Sequence, residues 1–158
     1  MIRMSRLTDY GIVLLAHLAR SGGTLTAQEL SARSHVPQPT VSKLCKELSR
    51  AGIVLSTRGR HGGYGLARAA DAISVAEIVE ALEGPIGFTD CSTPGQPTCG
   101  IAQDCPAKAG WDPVTRAVHG ALSELSLSTL AVSDLTPFRA TVHPPAEDPP
   151  VRLGVNPT

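Results

Sequence analysis

A mainly α-helical chain with one small β-hairpin is predicted by three observations. Apolar residues recur at three- and four-residue spacing in four stretches before residue 126, the period of a helix buried along one face. Two Thr/Ser-x-x-Glu boxes, Thr26 to Glu29 and Ser74 to Glu77, mark helix starts, because each hydroxyl can cap the amide three residues on while the glutamate reaches back. One β-prone run, Ile53 to Ser56, is followed by the turn Gly59-Arg60-His61-Gly62-Gly63 and a possible return strand, Tyr64-Gly65-Leu66, which is the pattern of a hairpin. Two short helices around a turn, closed by such a hairpin, make a winged helix-turn-helix; a cysteine loop and a dimerisation helix are predicted to follow it.

Leu7, Tyr10, Leu14 and Leu18 form the stripe of a first helix over residues 8 to 20, stopped by Ser21-Gly22-Gly23. Thr26 opens a second, ending near Ser34, and His35-Val36-Pro37 has the length of a helix-turn-helix turn. The third helix, residues 38 to 51, tolerates Pro39 in its first turn. Val41, Leu44, Cys45 and Leu48 form its apolar stripe, while Thr40, Ser42, Lys43, Lys46 and Arg50 occupy other positions. A short helix with one apolar stripe and a basic, hydroxyl-rich face suits the major groove of DNA. The hairpin places Arg58, Arg60 and His61 at a glycine-rich tip, and arginine suits a narrow, negative minor groove. A solvated basic face is the bland alternative for these residues.

Charge distribution favours DNA. The chain is neutral overall, but residues 1–70 carry 10 Lys+Arg against 3 Asp+Glu and residues 71–158 carry 4 against 11, so a polyanion-binding half adjoins an acidic one. No signal peptide is recognisable, and the longest apolar run near the N-terminus, Ile12 to Ala16, is too short to span a bilayer; a cytoplasmic location is expected.

Val75, Ile78, Val79 and Leu82 define a fourth helix, terminated by Gly84-Pro85. Three of the four cysteines follow: Cys91, Cys99 and Cys105, separated by seven and five residues in a Gly- and Pro-rich loop. Structural zinc sites pair cysteines more closely, whereas separated thiolates suit an iron-sulfur cluster. Cys45, on the third helix's core stripe, reads as a buried small hydrophobe. Asp112-Pro113 is expected to open a further helix, with Val114, Ala117, Val118, Ala121, Leu122 and Leu125 on one face. That face either folds back on its own head or pairs with a second copy, and the two-half-site geometry of operators favours the pair. Thr129 to Leu135 can add a turn or two. The expected division is a head over residues 1–70, a helix, cysteine loop and dimerisation helix over 71–135, and a disordered Pro-rich tail over 136–158.

Leu7-Thr8-Asp9-Tyr10, the wing motif Arg58 to Tyr64, the fourth helix and the three loop cysteines resemble the Rrf-type winged-helix regulators, among them the IscR-, NsrR- and RirA-like regulators and those of SUF cluster-assembly genes. The resemblance spans roughly residues 3 to 135. It implies a homodimeric transcription factor, most simply a repressor, whose [2Fe-2S] or [4Fe-4S] cluster controls its affinity for promoter DNA. Cys91, Cys99 and Cys105 fall on the family's ligand positions. Where IscR-like members have a histidine three residues after the last cysteine, this chain has Lys108. NsrR-like members complete the site with an aspartate early in the partner's first helix, and Asp9 matches it. Asp9 also reads as a first-turn aspartate favoured by the helix dipole. His119 is a weaker ligand candidate, and Trp111 either anchors packing or shields a cluster. A zinc or thiol switch on the same head is the rival reading. An enzyme is disfavoured, since no paired catalytic acid and base is recognisable.

Overall fold

A computed structural model of the chain describes residues 3–59, 62–90, 92–93, 99–101 and 104–131, with the side chain of Lys108 excepted. Arg60, His61, Cys91 and the predicted tail lie outside the described residues.

Helix α1, Arg6–Ser21, starts two residues earlier than its apolar stripe suggests because Ser5 caps it, its hydroxyl accepting from the Thr8 amide. Its inward face is also rotated from the expected one. Thr8, Gly11, Leu14, Leu15 and Leu18 are buried, while Leu7 is 39% exposed. The reason is a polar contact that apolar periodicity does not register: Thr8 faces Glu83, as described below. Helix α2, Ala27–Ser34, carries the expected capping box, with Thr26 N donating to Glu29 Oε2 at 2.8 Å and Glu29 N to Thr26 Oγ1 at 3.2 Å. His35 closes α2 in the left-handed region, φ 58°, a conformation that a histidine adopts more readily than a β-branched residue would. Ser31 Oγ donates to Val36 O at 2.7 Å and Ser34 Oγ to Leu30 O at 2.6 Å, so side chains stitch the turn into α3, Gln38–Arg50.

The ribbon consists of β1, Val54–Thr57, antiparallel to β2, Gly63–Leu66, with Ser56 opposite Tyr64. A third backbone segment joins it: Leu25 N donates to Tyr64 O at 2.9 Å and Tyr64 N to Leu25 O at 2.8 Å. The wing is thereby tied to the approach to α2. This pairing explains the Gly62-Gly63 pair. A Cβ on Gly63 would sit 2.7 Å from Leu25 O and 2.8 Å from Leu25 C, and one on Gly62 would collide with Thr57 O. The glycines are needed for the wing's own packing, independently of any ligand.

After a 3-10 turn, Ala70–Ala72, helix α4, Val75–Glu83, begins at the expected Ser74–Glu77 box. Helix α5, Lys108–Glu124, starts one turn before the predicted Asp112-Pro113 cap, which instead lies inside the helix. A proline there forgoes one amide donor, a small loss so near an end whose amides lack helical partners anyway. Short α6, Leu127–Leu130, follows. Its start is clasped to the start of α4: Val75 N donates to Leu125 O and Leu127 N to Ile73 O, both at 2.8 Å. α4 and α5 thus form a hairpin whose open end is fixed to the head and whose closed end carries the cysteine loop.

One hydrophobic core unites these pieces. It includes Leu14, Leu15 and Leu18 of α1, Leu30 of α2, Val41, Leu44, Cys45 and Leu48 of α3, then Ile53, Ile73, Ile78 and Leu127. Cys45 is fully enclosed and burial raises its thiol to about 11, so it is a protonated core residue at neutral pH. By contrast, no residue of the 17-residue α5 is buried among its described side chains.

Candidate nucleic-acid interface and cysteine loop

Two regions carry chemistry, and the hairpin connects them. The first is the outer side of α3. With Val41, Leu44, Cys45 and Leu48 buried, the 100° advance per residue turns Lys43, Lys46 and Arg50 outward, and all three are exposed. Ser42, Lys46 and Arg50 line an open groove of about 510 Å³ with Ser49 on the same helix and Ser56 and Tyr64 from the ribbon. Thr40 and Lys43 are not among its lining residues; Thr40 is half-buried on the opposite flank of α3. Arg58 is exposed just beyond β1. Sequence patterning does not single out Ser49, Ser56 or Tyr64 for this groove. The Ser56–Tyr64 register points to the latter two, because paired residues on a ribbon share a face.

The groove combines two cations, four hydroxyls and a donor-rich helix face. Such a set can hold phosphates and read base edges at once.

The second region is the closed end of the hairpin. Glu83, the last residue of α4, accepts from Ser5 N at 2.7 Å and from Thr8 Oγ1 at 2.6 Å. Since the single Thr8 hydroxyl proton goes to Glu83, the 3.2 Å approach between Ser5 Oγ and Thr8 Oγ1 has serine as donor. Thr8 is fully buried. Its hydroxyl first, then the Ser5 amide, holds the Glu83 carboxyl below the usual glutamate range. The end of α4 is in this way locked to the start of α1, one residue from exposed Asp9.

This lock predicts a pH dependence with a definite sign. A depressed folded-state value means that the stabilisation is complete above the ordinary value of 4.5 and is lost as pH falls through the folded-state value. Thr8→Val is expected to cost about 1 kcal/mol, at the low end for a charge-assisted bond because the carboxylate is solvated, and to flatten that acid limb. Urea midpoints of both proteins between neutral and acidic pH check it; parallel curves would remove Thr8 from this role.

Past Glu83, residues Gly84 to Phe88 line a cavity of about 280 Å³ with Arg3, Met4, Val79, Val118 and Leu122. The loop's entry therefore faces both the segment that precedes α1 and α5 across this cavity. Further along, Ser92 N donates to Thr89 O at 3.0 Å, and the Ser92 hydroxyl receives the Phe88 and Thr89 amides at 3.3 and 3.2 Å. Cys99 and Cys105 are half-buried free thiols. Among the described residues no three His, Cys, Asp or Glu side chains converge on a common point, so the structure does not bring Asp9 together with Cys99 and Cys105 within one protomer. His119 lies elsewhere, with Nε2 3.6 Å from Glu80 Oε1 across α4 and α5. Trp111 is 36% exposed and Val114 42%.

The donor chemistry fits an iron-sulfur cluster: two free thiols stand in a loop with no disulfide among the described residues, and thiolates are the preferred ligands of such clusters.

A winged head with a basic reading helix, joined to a hairpin bearing a cysteine loop, defines a DNA-binding transcriptional regulator. The chain belongs to the Rrf2 family: residues 4–133 match its model, described as an iron-dependent transcriptional regulator. Among solved structures, CymR (YrzC), the global cysteine regulator of B. subtilis, is 29% identical, with a TM-score of 0.65 over 83% of this chain and 97% of that one. IscR of T. potens is 26% identical with a TM-score of 0.61, covering 82% and 85%. CymR of Staphylococcus aureus is 28% identical with a TM-score of 0.59, covering 80% and 96%. The chain is a regulator and not an enzyme. Among its described residues, no helix is long and apolar enough to cross a membrane.

Proposed function

We propose that this protein is a cytoplasmic, homodimeric repressor that senses iron-sulfur cluster status, with SUF-type cluster-assembly genes as its targets. The single observation that carries the reading is the Glu83–Ser5–Thr8 lock, which couples the base of the cysteine loop to the first turn of α1. Cys91, Cys99 and Cys105 would hold the cluster, and Asp9 reaching from a second copy would complete its ligands. A bound cluster supplies a redox- and iron-labile crosslink.

The protein's own residues do the rest. Lys43, Lys46 and Arg50 hold α3 in the major groove with Thr40 and Ser42 beside them, and Arg58, Arg60 and His61 present the wing to the minor groove. Met4, Leu7, Trp111 and Val114 leave apolar surface exposed near the loop and along α5, where a second copy would cover it. Movement of the loop is passed through Glu83 to α1 and so to the angle between two heads, a shift between two dimer populations.

Anaerobic purification is expected to yield a coloured protein containing iron and sulfide. Cys99→Ser and Cys105→Ser should each abolish the colour while preserving far-ultraviolet helicity. A colourless wild-type protein with stoichiometric zinc would defeat the cluster. Likeness to CymR, named as a cysteine regulator, favours one second reading, a thiol or zinc switch on the same head. That reading predicts DNA affinity responsive to thiol oxidation without iron. Iron- or nitric-oxide-responsive repression by the same loop would be distinguished by which treatment releases the protein from DNA.

A further inference from the structure

A basic cavity on the other side of the reading helix's turn plays no part in the groove or the cysteine loop. His17 and Arg20 on α1 and Arg33 on α2 line a concavity of about 400 Å³. His35, the left-handed residue that closes α2, faces the same charges. Arg20 and Arg33 are exposed, and the ion pairs among the described residues, Arg68–Glu77 and His119–Glu80, involve neither. Glu29, whose Oε2 accepts from the Thr26 amide and hydroxyl at 2.8 Å each, feels Arg33 and offsets part of its charge without forming an ion pair with it, leaving Arg20 uncompensated by it. Burial first, then Arg20, Arg33 and His35, disfavours the charged form of His17. Two permanent cations and the His17 imidazole thus line a hollow near His35 in which, among the described residues, no acid is ion-paired to either arginine, and an entering anion would relieve that accumulation of positive charge.

The chemistry of the donors narrows the anion. Guanidinium forks match phosphate oxygens in geometry and charge. The location narrows the source: Arg33 and His35 immediately precede the turn that delivers α3, so the hollow lies at the entry to the reading helix rather than at its far end. We propose that His17, Arg20 and Arg33 form a phosphate site that grips the DNA backbone beside the stretch read by α3. Its grip is independent of sequence, because phosphates carry none. It extends the electrostatic footprint onto α1, the same helix that Glu83 locks to the loop. The assignment to DNA rests on the DNA-binding reading above; the phosphate chemistry does not.

The test uses the full chain and a long duplex bearing a site selected in vitro against that chain. Arg20→Gln/Arg33→Gln should reduce the slope of log affinity against log salt by about one to two, since each phosphate left without its arginine lowers the slope by about one, without altering sequence preference. In parallel, the His17 imidazole protons, assigned with His17→Gln, should move toward their imidazolium positions when duplex is added to the parent and remain in place in the double variant. Unchanged slope and unmoved His17 with a parent that binds DNA would overturn the site. Unchanged slope together with a His17 shift on adding inorganic pyrophosphate would keep the phosphate chemistry but overturn the backbone source in favour of a free phosphorylated ligand. A parent that binds no duplex would refute the DNA-binding reading instead, and the pyrophosphate titration would then decide the site by itself. Thermal melts of each variant guard against misfolding; the substituted arginines are exposed, so unchanged midpoints are expected.

Discussion

Gly63→Ala is expected to cost about 2–3 kcal/mol of stability and to detach the wing, although it adds a single methyl group. The new Cβ would lie 2.7 Å from Leu25 O, 2.8 Å from Leu25 C and 3.2 Å from Thr26 N. These are backbone atoms, held by the reciprocal Leu25–Tyr64 hydrogen bonds and by the α2 capping box, so no side chain can rotate aside. Relief requires separating the two segments, which breaks both bonds at about 1 kcal/mol each and adds strain. Tyr64 would leave the groove it shares with Lys46 and Arg50, so DNA affinity should fall with stability. Gly23→Ala is the control: nothing lies within 4 Å of its Cβ position, and it should be near neutral. Chemical denaturation of the three proteins, with amide exchange at Leu25 and Tyr64, decides the matter; equal stability of Gly63→Ala and wild type would show that the bridge is dispensable.

The second large effect is expected on α5. Val114→Asp/Ala121→Asp places two charges on positions that the protomer leaves exposed, so the fold of one chain has little reason to suffer. If a second copy covers that face, burying two uncompensated carboxylates is prohibitive, and the variant should sediment as a monomer. Affinity for a palindromic duplex should then drop by about 10²–10⁴, the gain forfeited when two linked half-site interactions become independent. Binding to a single half-site should be almost unaffected. A variant that remains dimeric would move the interface away from α5.

How far the fold is legible in the sequence depends on whether the stabilising signal is local. The Thr26–Glu29 and Ser74–Glu77 boxes appear where expected, because a cap is written in four adjacent residues. α3 is equally readable, its four buried side chains spaced on one stripe that no tertiary contact overrides. The misreadings share a cause. Spacing alone places Leu7 inside, because it cannot show that Thr8 is drawn inward by Glu83, 75 residues away. Nothing local marks Leu25 as a sheet partner of Tyr64, since a single bridging residue has no period. Asp112-Pro113 reads as the start of α5 because proline is a strong local marker, yet the helix begins at Lys108 and accommodates it. The exposure of Lys43, Lys46 and Arg50 on α3 is legible from the stripe opposite them, whereas the half-buried place of Thr40 is not. Nor is the part played in the α3 groove by Ser56 and Tyr64, because it depends on where the ribbon packs.

Leu127 has a consequence for how this protein comes into being. Its side chain is wholly enclosed in the same cluster as Leu14 and Leu44, and its amide is bonded to Ile73 O. A nascent chain that has emerged only as far as the wing lacks Ile73, Ile78 and Leu127, and cannot seal the interior on which α1 and α3 sit. Because synthesis runs from the N-terminus and non-local contacts form only once both partners are present, the thiols at Cys91, Cys99 and Cys105 leave the ribosome before the residue that closes the core. The order of translation therefore delivers the cysteine-bearing segment before the head to which it is attached can close.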